Sequence, residues 1–160
     1  RNLCGKFRPG HFESVVDVIE RFIKIINPSK IYLGEKDMQQ LIIVKDYINK
    51  NYKKIKIVSC KTIRENNTVA LSSRNLLLSK KEFKISSLIA KFLITNKISI
   101  LKNEITIPDI KEQFLLYGVK KIDYIKILDI NRILKSNLKY KKMKIFIAYY
   151  LGSTRLIDNI

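Results

Sequence analysis

The chain has 160 residues, 46% of them hydrophobic and 29% charged. That balance belongs to a folded protein with material for a core and excludes a disordered polyelectrolyte. No stretch approaches the roughly 20 apolar residues of a membrane-spanning helix, and the formal charge of +18 is the one extreme value.

Such a charge often marks a nucleic-acid or anionic-membrane partner. Here the lysines are spread along the whole chain and travel with abundant Ile and Asn, and no aromatic-basic RNA-recognition motif is visible. The reading is a generally basic surface, with no nucleic-acid or membrane partner, whose field helps attract anionic substrates. Arg1-Asn2-Leu3-Cys4 forms no secretory signal region and lacks an initiator Met, so the start reads as a cut in a longer chain. Cys4 and Cys60 make neither a metal set nor a disulfide framework, and read as reduced thiols of a cytosolic protein.

In chain order, His11 to Ile26 predicts an amphipathic helix, with Phe12, Val15, Val16, Ile19, Phe22, Ile23 and Ile26 at three- and four-residue intervals. Asn27-Pro28-Ser29 ends it. Ile31 to Leu33 predicts a strand stopped at Gly34, Met38 to Asn49 a helix, and Ile55 to Val58 a second strand. This alternation predicts an α/β unit with a parallel sheet, whose ligands bind where strands give way to helices. Ser79-Lys80-Lys81-Glu82 has the form of a capping box opening a helix. Pro108 opens another that Gly118 closes. Tyr124 to Leu128, Lys144 to Tyr150 and Thr154 to Ile157 predict strands. Helices followed by strands predict a small α+β domain, with the boundary near Leu77.

Four segments carry polar chemistry. Arg8-Pro9-Gly10-His11-Phe12 is a turn opening a helix, where anions are favoured, and His11 alone reads as a capping or core residue. In Gly34-Glu35-Lys36-Asp37-Met38-Gln39-Gln40, Lys36 can neutralise a phosphate and Asp37 can accept from ribose hydroxyls. Gln40 lies one turn beyond Asp37 and can face the same cleft, although a solvated loop accounts equally well for this segment. Leu71-Ser72-Ser73-Arg74-Asn75 sets two hydroxyls beside a guanidinium, a polyphosphate-binding chemistry that is also the composition of an ordinary turn. Gly152 to Asn159 reads as a closing strand in which Arg155 and Asp158 pair.

Taken together, in this order and spacing, these segments and Arg64 resemble the pantothenate synthetase family over nearly the whole chain. The resemblance implies the second part of a Rossmann-like nucleotidyl-transferase domain, akin to class I aminoacyl-tRNA synthetases, over 1–77, and a small α+β domain over 78–160. It implies an AMP-forming ligase that joins pantoate to β-alanine through a pantoyl-adenylate, with ATP as substrate and Mg2+ assisting. Gly34, Glu35, Lys36, Asp37, Ile63, Leu71, Ser72, Ser73 and Arg74 would bind ATP, with Lys36 and Arg74 acting in catalysis. Gln40 and Arg8 would bind pantoate, and no residue would be a metal ligand. A cytoplasmic homodimer is implied as well.

Two departures from the family pattern stand out. Asn67-Thr68 replaces a usual Asp-Gly, which would stiffen the loop or change its turn, and Lys61 stands where a proline is expected. The family's amino-terminal histidine motif and a second pantoate-binding glutamine are absent, a gap on the order of a hundred residues. The expectation is therefore a working full protein and an inactive isolated chain. The alternatives are another nucleotidyl transferase of the same superfold, a basic nucleic-acid-binding module, or a remnant that no longer works.

Overall fold

The computed structural model describes residues 3–130 and 142–160. Arg1 and Asn2 of the amino-terminal run lie outside the described residues. The chain forms two compact units, Arg1–Lys61 and Thr62–Ile160. The sequence places a division near Leu77, where its texture changes after Arg74-Asn75. By compactness, residues 62–77 belong with the second unit.

The first unit begins with the short helix α1 (Cys4–Phe7), which the sequence did not announce, and continues with α2 (His11–Ile26). Asn27 ends α2 in the left-handed conformation, its N–H donating to the Ile23 carbonyl, and Pro28 then prevents the helix from continuing. Next come β1 (Lys30–Gly34), a 3-10 turn (Glu35–Asp37), α3 (Met38–Asn51) and β2 (Lys56–Cys60). The two strands are parallel, in register from Lys30 opposite Lys56 to Gly34 opposite Cys60, so the predicted α/β alternation is present. Ile23, Val44 and Ile48 form the buried centre, flanked by Ile31 and Leu33 of β1 and Ile57 of β2. The apolar stripe of α2 is wider than this core: Ile23 is buried, whereas Phe22, Ile25 and Ile26 are exposed.

The second unit opens with a loop and a 3-10 turn (Ser73–Leu77), followed by α4 (Lys80–Thr95), α5 (Lys97–Leu101) and α6 (Ile107–Tyr117). It closes with β3 (Lys121–Asp129), β4 (Met143–Leu151) and β5 (Thr154–Asn159), an antiparallel sheet in that order. The expected capping box holds: the Ser79 hydroxyl accepts from the Glu82 N–H at 3.3 Å, and the Glu82 carboxylate accepts from the Ser79 N–H at 2.8 Å. A second one, Thr106 with Asp109, starts α6, and Gly118 ends that helix at φ 102. The helices cover one face of the sheet through Ile89, Leu93, Ile110 and Phe114, which meet Ile145 and Ile147 of β4. The Phe114 ring stands edge-on to Tyr149, 5.8 Å between centroids. Among the described residues, no helix is long and apolar enough to cross a membrane.

Candidate active site

In the first unit the strand-to-helix turn has the expected position. Gly34 ends β1 in extended conformation, and a methyl group there would meet nothing within 4 Å. The backbone therefore does not require glycine, and what glycine provides is open space in front of the turn. Glu35 and Lys36 are half-buried in the 3-10 turn, whereas Asp37 is exposed. Asp37 occupies the N-cap position of α3 but makes no side-chain capping bond, so its carboxylate is not committed to the helix. Gln40 lies half-buried on the first turn of α3.

A cleft of about 590 Å³ lies beside α2, lined by Arg8, Phe12 and Val16 together with Gln39 and Ile43 of α3. The structure thus brings Arg8 together with Gln39, while Gln40 is not among the lining residues. The wall also carries Glu13, Asp17 and Glu20. Asp17 pairs with Arg21 at 3.2 Å and Glu20 with Lys24 at 2.8 Å, so much of this negative charge is locally balanced. His11 starts α2, with its ring 5.1 Å from Phe12.

In the second unit, residues 64–70 form a small hairpin. Arg64 bridges Ala70 in antiparallel fashion, the Glu65 N–H donates to the Val69 carbonyl at 2.9 Å, and the Thr68 N–H donates to the Glu65 carbonyl at 2.8 Å. This is a three-residue loop whose third residue, Thr68, sits at φ 75. The departure noted in the sequence therefore falls on the position where left-handed backbone favours glycine.

The hairpin delivers the serine-arginine segment. Leu71 donates its N–H to the Ile63 carbonyl at 3.0 Å, and both side chains are exposed. Ser72 caps the 3-10 turn, its hydroxyl accepting from the Arg74 N–H at 3.3 Å, and Ser73 is exposed. Asn75 then ties the segment back, donating to the Glu65 carboxylate at 2.9 Å and the Ala70 carbonyl at 3.2 Å.

The described arginines of this unit divide sharply. Arg64 forms a forked pair with Asp158, at 2.7 and 3.0 Å. Arg155 pairs with Asp123 at 2.7 Å. Arg74 makes no ion pair among the described residues. The pairing of Arg155 with Asp158 expected from the sequence is thus not formed. The two residues lie three apart on one strand, and alternation sends their side chains to opposite faces of the sheet. Burial, and to a lesser degree the Asp158 charge, raises the Tyr149 phenol well above its ordinary range, so the ring stays neutral.

Among the described residues no group of three or more His, Cys, Asp or Glu side chains could hold a metal ion. The described residues therefore supply no metal cage of their own.

The sequence model of the Pantoate-beta-alanine ligase family matches residues 1–160. A pantothenate synthetase of Clostridium botulinum (strain ATCC 19397 / Type A) is 40% identical over 162 residues, covering 99% of this chain and 58% of the relative. Its counterpart in Caldicellulosiruptor bescii is 36% identical, covering 99% and 57%. Among solved structures, pantothenate synthetase from Thermus thermophilus superposes with a TM-score of 0.85 at 27% identity, over 99% of this chain and 58% of that one. Pantoate-beta-alanine ligase from Francisella tularensis, complexed with beta-gamma ATP and beta-alanine, does so with 0.78 at 31% identity, over 99% and 53%. The chain spans about 58% of the length of the curated relatives it matches. It belongs to the pantoate-β-alanine ligase family.

Proposed function

We propose that this chain is the carboxy-terminal part of an ATP-dependent ligase that condenses pantoate with β-alanine to give pantothenate, AMP and pyrophosphate. The observation that carries the reading is Arg74. It is the one described arginine of the second unit left without a carboxylate, and it stands beside Ser72 and Ser73 on a turn fastened at both ends. A forked cation next to two hydroxyls suits a polyphosphate. The Francisella relative was solved in complex with beta-gamma ATP and beta-alanine, which favours the same substrate class here.

A carboxylate is a poor electrophile at its carbonyl. In the first step its oxygen attacks the α-phosphorus of ATP, and pyrophosphate leaves to give an acyl-adenylate. In the second, the β-alanine amine attacks the activated carbonyl, AMP leaves and the nitrogen loses a proton. The protein's part is to position reactants and stabilise phosphate charge. Lys36 and Arg74 supply that charge, with Ser72, Ser73 and the backbone at Leu71 gripping the triphosphate. Gly34 and Asp37, whose carboxylate makes no capping bond, hold the ribose, and Glu35 beside them also binds ATP. Ile63 meets the adenine through its backbone. Gln40 and Arg8 hold pantoate. Magnesium, where it accompanies the nucleotide, would share the charge of the phosphates.

A cytoplasmic homodimer completes the proposal, and the isolated 160-residue chain is proposed to be inactive. The test is pantothenate formation by the intact protein supplied with all three substrates. Arg74→Ala and Lys36→Ala should each lower kcat/KM by roughly a hundredfold or more. Wild-type rates from either variant would refute the assignment of those side chains.

A further inference from the structure

Arg64 belongs to the same sequence segment as Arg74, yet its surroundings are the opposite. Its guanidinium meets both Asp158 oxygens, at 2.7 and 3.0 Å, and also donates to the Thr68 carbonyl at 3.0 Å and the Asn159 carbonyl at 3.4 Å. The Asp158 carboxylate is only 9% exposed and is itself oriented by the Asn159 N–H at 2.8 Å. One side chain therefore spans 94 residues of sequence and fastens the turn of the 64–70 hairpin to β5. From α4, the Ser87 hydroxyl donates to the Asn67 carbonyl at 2.9 Å, which holds the same turn again.

An arginine so committed is a poor phosphate ligand. An incoming phosphate would have to displace a forked carboxylate, and the Asp158 charge would repel it. What Arg64 does control is the base of the Leu71–Arg74 segment. That segment runs from Ala70, which Arg64 bridges, to Asn75, which is tied to Glu65 and Ala70. We infer that Arg64 and Asp158 are positioning residues for the nucleotide, fixing the hairpin from which Ser72, Ser73 and Arg74 reach it without touching phosphate themselves. The inference rests on the nucleotide role proposed for that segment.

The test uses the intact protein with Asp158→Asn, and with the milder Arg64→Lys, which keeps a cation but loses the fork. Steady-state rates are measured with ATP varied, beside hydrogen exchange of residues 65–76 with and without ATP. Wild type should show ATP-dependent protection at 71–74. Both variants should raise KM for ATP about tenfold or more, the size of effect expected when a binding group is displaced by a fraction of an ångström. They should also speed exchange at 71–74 in the absence of ATP. An unchanged KM for ATP in both variants overturns the inference, whatever happens to kcat, because a pair that serves stability alone lowers the active fraction and leaves KM in place. Absence of ATP-dependent protection in the wild type removes the nucleotide reading itself, and the inference with it, before any variant is made.

Discussion

The Tyr47 hydroxyl on α3 donates to the Glu20 carboxylate on α2 at 2.8 Å, across 27 residues of sequence. Lys24, one turn further along α2, reaches the same carboxylate at 2.8 Å, and Tyr52 donates to it at 3.4 Å. The Lys24 and Tyr47 hydrogen bonds hold Glu20 below its ordinary range, and the bond to Glu20 pushes the Tyr47 phenol up to about 12. A raised phenol pKa favours the folded state below its ordinary value of 10.0, and that gain is lost as pH rises through about 12. The lowered Glu20 acts in the other sense: its contribution is present above 4.5 and is lost as pH falls through the folded value. Tyr47→Phe should therefore lower the melting midpoint near neutral pH, and the gap from wild type should close between pH 10 and about 12. A gap that stays constant over that interval would contradict the assignment.

Thr68 is a β-branched residue at φ 75. Left-handed backbone costs a non-glycine residue roughly 1–2 kcal/mol, and glycine loses roughly 0.5–1 kcal/mol through its freer unfolded chain. Thr68→Gly should thus stabilise the protein by about 0.5–1 kcal/mol in chemical denaturation. A destabilised variant would mean that Thr68 contributes contacts that outweigh its backbone strain.

Where local chemistry decides, the fold was legible from sequence. Ser79 with Glu82, and Pro108 with Gly118, announced their helices because each residue acts on its own backbone neighbours. The strand-to-helix turn at 34–40 was legible for the same reason. Helix α1 and the 3-10 turns were not, since so few residues show no periodicity. That Gln39 lines the cleft beside Arg8 while Gln40 does not depends on the rotation of α3, because successive helical positions turn by about 100°. The Arg155–Asp158 expectation failed on strand parity, which the sequence did contain. The true partners, Asp123 and Arg64, lie 32 and 94 residues away, and only folding selects them.

That correction makes its own prediction. Asp123 is 5% exposed and Arg155 17%. Asp123→Ala removes the buried carboxylate that pairs with the half-buried Arg155 and should cost about 3 kcal/mol. Asp158→Ala combined with Asp123→Ala should be additive in unfolding free energy if the two pairs are independent, as their opposite faces require. Strong coupling between them would contradict that separation.

The two capping boxes should each contribute. Ser79→Ala and Thr106→Ala should lower stability by about 1 kcal/mol apiece. Hydrogen bonds from Ser79 hold the Glu82 carboxyl below its ordinary value, and hydrogen bonds from Thr106 do the same for Asp109. Their contribution is therefore present above pH 4.5 and 3.8 and is lost on further acidification. Gly152→Ala should also destabilise, because it adds a side chain at φ 54 and drives a methyl group into the Glu82 carboxylate. Melts of these variants across acid pH check all three.

The function proposed for Arg74 is to support the ATP-dependent activation of pantoate in the intact protein. The most direct measurement is exchange of labelled pyrophosphate into ATP with β-alanine withheld, which isolates the first half-reaction. Exchange that requires pantoate, and that falls roughly a hundredfold or more in Arg74→Ala, is the predicted result. Exchange supported equally by unrelated carboxylic acids would contradict the pantoate assignment, and exchange left intact in Arg74→Ala would contradict the role given to that side chain.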